Sequence, residues 1–181
     1  MTKREKLANV AKIEAQKCFH GNVMTVESNI ELIAELFPKW SLDNWDDKWC
    51  AAFVYYCCIK AGFNIPVKYP DEKVTFNFAG CNAWEEWANL SENKFYFSRE
   101  HKNFTPEKGD IVLYDNVFCN KAHDHMGIII ENKIGSIKVA EGNINNVSGV
   151  IERNKNNNIR GYIRIPNDYD FNDIKDKISN C

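Results

Sequence analysis

Apolar side chains recur through the first third of the chain at the 3.6-residue spacing of amphipathic helices. Leu7, Val10, Ala11, Ala15 and Cys18 share one face of a predicted helix over residues 3–18, which His20-Gly21-Asn22 stops. Ile30, Ile33, Ala34 and Phe37 mark a second helix over residues 25–37, ended by Pro38. After the polar loop 41–48, residues 49–61 are apolar almost all round, with Ala52, Phe53, Tyr56, Cys57 and Ile59 distributed about the axis. Such a helix is buried on most sides, and Gly62 supplies its C-terminal cap. A shorter amphipathic helix over residues 81–90 carries Trp84 and Trp87 three apart, a spacing that favours core packing over a sugar or peptide groove.

Beyond Pro106 the period changes from helical to alternating. Residues 110–114, 125–131, 137–141, 147–153 and 159–165 are short and rich in β-branched side chains, separated by Gly, Asn and Asp turns. Strands joined by such short connections pair antiparallel. Helices followed by strands predict an α+β domain, with the apolar helix packed on an antiparallel sheet of about five strands. Residues 154–160 read as a solvated hairpin loop, and residues 170–181 as a short terminal helix. The whole chain, 1–181, is expected to be one domain, with N-terminal helices over 1–40 and a core over 49–165.

Composition narrows the function. With 181 residues, 44% apolar and 27% charged, the chain is long enough for one globular core and excludes wholesale disorder. Lys and Arg number 23 against 25 Asp and Glu, a net charge of −2, so the basic excess that phosphate contacts need is missing and nucleic acid is not an expected partner. No apolar run approaches the roughly 20 residues of a membrane span. The start, Met1-Thr2-Lys3-Arg4-Glu5-Lys6, is basic but lacks the apolar segment of a signal peptide. The expectation is therefore cytoplasmic synthesis, a monomer, and release by lysis or a delivery system if the target lies outside.

The seven cysteines, 18, 50, 57, 58, 81, 119 and 181, are odd in number and include no C-x-x-C pair, which argues against a closed disulfide framework and against structural zinc. One stands in a reactive setting. Cys50 falls in the first turn of the buried helix, where unpaired N–H groups and the helix dipole favour a thiolate. Cys57 and Cys58 lie two turns further in and read as packing. A nucleophilic thiol needs a histidine to handle the proton and a polar group to orient it. His20 and His101 lie at a helix end and in a charged loop. His123 and His125 alternate across Asp124 and would face one side of a strand, a spacing that also suits a metal, although no third ligand stands at the right distance.

His125 opens the apolar strand before Met126-Gly127, where a missing side chain leaves room for a substrate or for the nucleophile helix. The hairpin to the next strand returns Glu141 and Asn143 beside it, on one side of their strand, and either could fix its tautomer. No metal or cofactor is expected: Asp43, Asp46 and Asp47 complement the helix dipole more simply than they bind calcium.

At this point a family pattern is recognisable. Trp49-Cys50-Ala51-Ala52-Phe53-Val54 resembles the nucleophile motif of the CHAP family, the cysteine- and histidine-dependent amidohydrolases and peptidases. Gly109-Asp110-Ile111-Val112, His125-Met126-Gly127-Ile128-Ile129, Glu141-Gly142-Asn143 and Gly161-Tyr162-Ile163-Arg164 resemble its later motifs, in family order over residues 49–165. The resemblance implies a papain-like fold, Cys50 as nucleophile, His125 as base, and Glu141 and Asn143 as the positions that orient and polarise it. It also implies a peptidoglycan or peptide substrate, cut as an N-acetylmuramoyl-L-alanine amidase or as a stem-peptide or cross-bridge endopeptidase. The oxyanion would be held by the Cys50 N–H and a donor from the preceding loop, where relatives often place a glutamine and this chain has Asn44, Lys48 and Trp49. Two other readings remain: the same machinery acting on an amide or isopeptide outside the cell wall, and an inactive binding module.

Overall fold

The computed structural model describes residues 1–21, 27–37 and 48–172. Trp40, Asn44, Trp45, the aspartates 43, 46 and 47 and most of the expected terminal helix lie outside the described residues.

Helix α1 (Lys3–Ala15) begins in a capping box: the Thr2 hydroxyl accepts from the Glu5 N–H, and the Glu5 carboxylate accepts from the Thr2 N–H. It ends three residues before Cys18, which has left-handed backbone. Helix α2 is a single turn, Glu31–Ala34, much shorter than the periodicity over 25–37 suggests. Helix α3 (Cys50–Ala61) is closed by Gly62 at φ 93°, and ten of its twelve residues are buried. Helix α4 spans Cys81–Ala88. Its tryptophans are core, as expected: both are fully buried, and the Trp84 indole N–H donates to the Phe78 carbonyl at 2.9 Å.

Six strands follow: β1 (Tyr96–Ser98), β2 (Ile111–Tyr114), β3 (His125–Asn132), β4 (Ser136–Ile144), β5 (Val147–Asn154) and β6 (Ile159–Ile163). All pair antiparallel in the order β1-β6-β2-β3-β4-β5. Five match the strands expected from alternation. The sixth, β1, has only three residues, too few to show a period, and it forms by pairing with β6 at one edge. The α+β class therefore holds, with α3 laid across β3 and β4.

The Gly109-Asp110 and Gly161-to-Arg164 motifs meet away from the cleft described below. Asp110 is fully buried and accepts from Arg164 at 2.9 and 2.7 Å, from Arg4 at 3.2 Å and from the Glu107 N–H at 2.7 Å. It fastens the start of α1 and the end of β6 to the entry of β2. Asp110→Ala removes the buried carboxylate that Arg4 and Arg164 share, leaving them only the exposed Glu107, and is expected to cost about 3 kcal/mol. Urea unfolding measures this, while iodoacetamide labelling of Cys50 in the folded protein should be unchanged.

Candidate active site

Cys50 is the first residue of α3, and its sulfur lines a cleft of about 710 Å³. The cleft is walled by the start of α4, the loop between β2 and β3, and the end of β4 with its turn to β5, which contribute Cys81, Phe118, Asp124 and Asn143 among others. The starts of α3 and α4 thus converge on one space, and their unpaired N–H groups favour negative charge there.

His125 is fully buried at the start of β3. Its Nε2 lies 2.8 Å from Glu141 Oε2, which leaves Nδ1, buried and without a partner at hydrogen-bonding distance, for the thiol. Tyr114, its register partner on β2, stacks on the ring at 5.9 Å, and Phe118 meets it edge-on at 4.8 Å. Glu141 is itself fully buried and held by Arg153, whose Nε donates to Oε1 at 2.9 Å and Nη2 to Oε2 at 2.6 Å. The order across the sheet is therefore guanidinium, carboxylate, imidazole, thiol, running from β5 through β4 and β3 to α3. The sequence gives no sign of this bidentate arginine because Arg153 is one of several charges on a half-exposed strand; it stands opposite Ile137, and its long side chain reaches along the sheet to Glu141.

The electrostatics follow from these contacts. The Cys81 thiol, 3.6 Å from the Cys50 sulfur, and then His125 hold Cys50 well below the ordinary thiol range, against the opposing effect of burial. Burial disfavours charge on His125, but Cys50 and Glu141 outweigh it, and its pKa is pushed up to about 9. Glu141 is lowered: burial opposes ionisation, while His125 and Arg153 together prevail. Such a site favours a thiolate facing an imidazolium.

Two glycines of the sequence motifs explain how the groups come so close. A Cβ on Gly127 would lie 2.6 Å from Glu141 Cγ and 2.6 Å from Val139 Cγ1. The space expected there for substrate or the nucleophile helix is instead filled by the carboxylate side chain reaching across to His125. A Cβ on Gly142 would lie 2.5 Å from Phe53 Cβ and 2.8 Å from Trp49 Cζ3, so its absence lets β4 pass against the start of α3.

Several expectations need correction. His123 does not share a strand face with His125: it sits before β3 with φ 54°, and its Nε2 lies 2.7 Å from Glu85 Oε2. The two imidazoles therefore face different carboxylates. Glu141 and Asn143 do not continue one regular face either, because a bulge interrupts β4 between Glu141 and Ile144 and Asn143 adopts φ 61°. Glu141 points to His125, whereas Asn143 lines the cleft. The Trp49 indole is not placed as an oxyanion donor: it is fully buried and donates its N–H to Asn146 Oδ1 at 3.0 Å. Lys48 does line the cleft, and Asn44 lies outside the described residues.

Among the described residues, no helix is long and apolar enough to cross a membrane. The chain matches no curated protein and no solved structure. The family model of the CHAP domain, however, matches residues 42–143, an interval that takes in α3, α4 and the strands from β1 to most of β4. Because that match takes in more than half of the chain, the protein belongs to the CHAP family of cysteine- and histidine-dependent amidohydrolases and peptidases, and its α+β fold is the papain-like one.

Proposed function

We propose that the protein hydrolyses an amide bond of peptidoglycan, through a thioester formed on Cys50. The observation that carries the reading is the buried His125, fixed by Glu141 on one nitrogen and left open to the thiol on the other. In the acylation step the Cys50 thiolate attacks the carbonyl carbon. The oxyanion is received by the Cys50 N–H at the start of α3, and His125 passes its Nδ1 proton to the leaving amine. Water then attacks the thioester while His125 takes its proton, which releases the acid and restores the thiolate. Glu141 and Arg153 keep the ring oriented throughout. Asn143 lines the cleft as a substrate or polarising contact, and Lys48 and Lys121 line the same cleft as cations suited to the carboxylates of stem peptides.

The test is digestion of purified peptidoglycan by the wild type and by Cys50→Ala, with the products read by mass spectrometry. Fragments released by the wild type alone are expected, and their masses identify the bond as sugar-to-peptide, stem or cross-bridge. No fragments from several wall chemotypes, from protein whose Cys50 still reacts rapidly with iodoacetamide, would move the substrate outside the cell wall.

The same reading sets a pH profile. His125 must carry a proton for the leaving amine, and its raised pKa is about 9, so kcat/KM should fall on the alkaline side with a midpoint near there. Cys50 must be ionised and is held low, so the acid limb should lie below the ordinary thiol value of about 8.5. A single plateau between the limbs, measured on a soluble fragment, is the expected result.

A further inference from the structure

The hydrolytic steps leave Cys81 without a part, yet its sulfur stands beside that of Cys50. The two sulfurs are 3.6 Å apart, and both line the same solvent-open cleft. Each is the first residue of its helix, on backbone anchored independently of the other. Helix α3 is embedded in the core. Helix α4 is tied to the sheet and to the β2–β3 loop through Glu85, which pairs with both Arg160 and His123. A disulfide needs the sulfurs about 2.05 Å apart, a closure of roughly 1.5 Å shared between two side chains. The other described cysteines lack this placement: Cys57 and Cys58 are sealed inside α3, and Cys18 and Cys119 are exposed, Cys119 on the cleft loop.

We propose that Cys50 and Cys81 are a site of reversible oxidation, closing to a disulfide when a hydroperoxide enters the cleft. The Cys50 thiolate attacks the terminal oxygen of hydrogen peroxide. The O–O bond breaks, Cys50 becomes a sulfenic acid, and the leaving hydroxide takes the proton that Cys50 had given to His125 and departs as water. The Cys81 sulfur then attacks the Cys50 sulfur and expels hydroxide, which takes the Cys81 proton and departs as water. In sum two thiols lose two electrons and two protons to the peroxide, giving one disulfide and two waters. A dithiol reductant reverses the bond by exchange at either sulfur. Bond formation depends on the placement of the pair; only its consequence, silencing of hydrolysis, rests on the reading of Cys50 as nucleophile. Cys81 in this role protects Cys50 from the irreversible sulfinic state.

The experiment treats the full chain, freed of reductant, with a small excess of hydrogen peroxide and maps its cysteines by mass spectrometry. A peptide joining Cys50 to Cys81 and short of two hydrogens is expected. Iodoacetamide labelling of Cys50 should fall by more than about tenfold and return with dithiothreitol. In Cys81→Ser the same dose should carry Cys50 to sulfinic acid, with labelling that dithiothreitol does not restore; Cys81→Ala serves if the serine variant misfolds. A Cys50–Cys119 link, or sulfinic acid on Cys50 of the wild type with Cys81 untouched, would overturn the assignment. These readouts need no turnover, so a protein that forms the disulfide but cleaves no peptidoglycan would sink the functional reading and leave this one standing.

Discussion

Cys50→Ala is expected to reduce hydrolysis by at least about 10⁴-fold, and His125→Ala by a similar factor, with the double variant scarcely worse than either. The two groups act as one unit: without the thiolate there is no thioester, and without the imidazole there is neither a stable thiolate nor a proton for the leaving amine. Loss of the sulfur removes one atom at the edge of a cleft, so urea unfolding should change by less than about 1 kcal/mol. His125→Ala is a heavier change, since it uncovers Glu141 in a dry site and opens space beneath Tyr114 and Phe118. Its activity should therefore be expressed per folded molecule. Turnover surviving Cys50→Ala on a soluble peptidoglycan fragment would eliminate the thioester route.

The second large effect is expected at Glu141. Glu141→Ala should lower kcat by about 10³-fold or more, because the ring loses the partner that sets its tautomer and the charge that supports the imidazolium. It also leaves Arg153 facing His125 with no carboxylate between them, so stability should fall by about 3 kcal/mol. Glu141→Gln retains the shape and separates these contributions. It keeps one acceptor for the ring, removes the negative charge, and should move the alkaline limb of kcat/KM to lower pH, because the charge helps to raise His125. Asn143→Ala, at a residue that lines the cleft, should cost less and act more on KM than Glu141→Ala does. Equal losses at the two positions, with no movement of the alkaline limb in Glu141→Gln, would take the orienting role away from Glu141.

The pair of expected effects shows how unevenly the site can be read along the chain. Cys50 is legible because a helix start has a local signature: a polar loop, then an apolar run, with the thiol in the first turn. His125 and Glu141 are legible because a short hairpin returns the second strand beside the first, and β3 and β4 do pair in that way. His123 misleads for a local reason. Alternation assumes a continuous strand, and a left-handed residue just before β3 breaks it. Asn143 misleads similarly, since a bulge cannot be seen in a sequence whose side chains still alternate.

Gly127 and Gly142 show a further limit. Gly127 is conspicuous as a gap in an apolar strand and Gly142 stands between two polar residues, but what occupies each gap belongs to another element: the Glu141 side chain in one case, Phe53 and Trp49 in the other. Cys81 and Arg153 carry no local mark. Cys81 lies 31 residues from Cys50, and the two sulfurs meet because two helix starts converge. Arg153 stands opposite Ile137 and meets Glu141 only because its side chain reaches along the folded sheet.

The sequence by itself determined the class of fold, the order of helices and strands, the reactive setting of Cys50 and the proximity of His125 to Glu141. Each of these rests on periodicity, on a cap or on a short connection, all of which act over a few neighbouring residues. Tertiary structure alone decided that Trp49 is core, that Glu141 holds His125 while Asn143 faces the cleft, that Arg153 anchors the carboxylate, and that a second thiol stands beside the first. Those outcomes depend on bulges, registers and helix ends meeting across the fold, where burial and charge are set by residues distant in the chain.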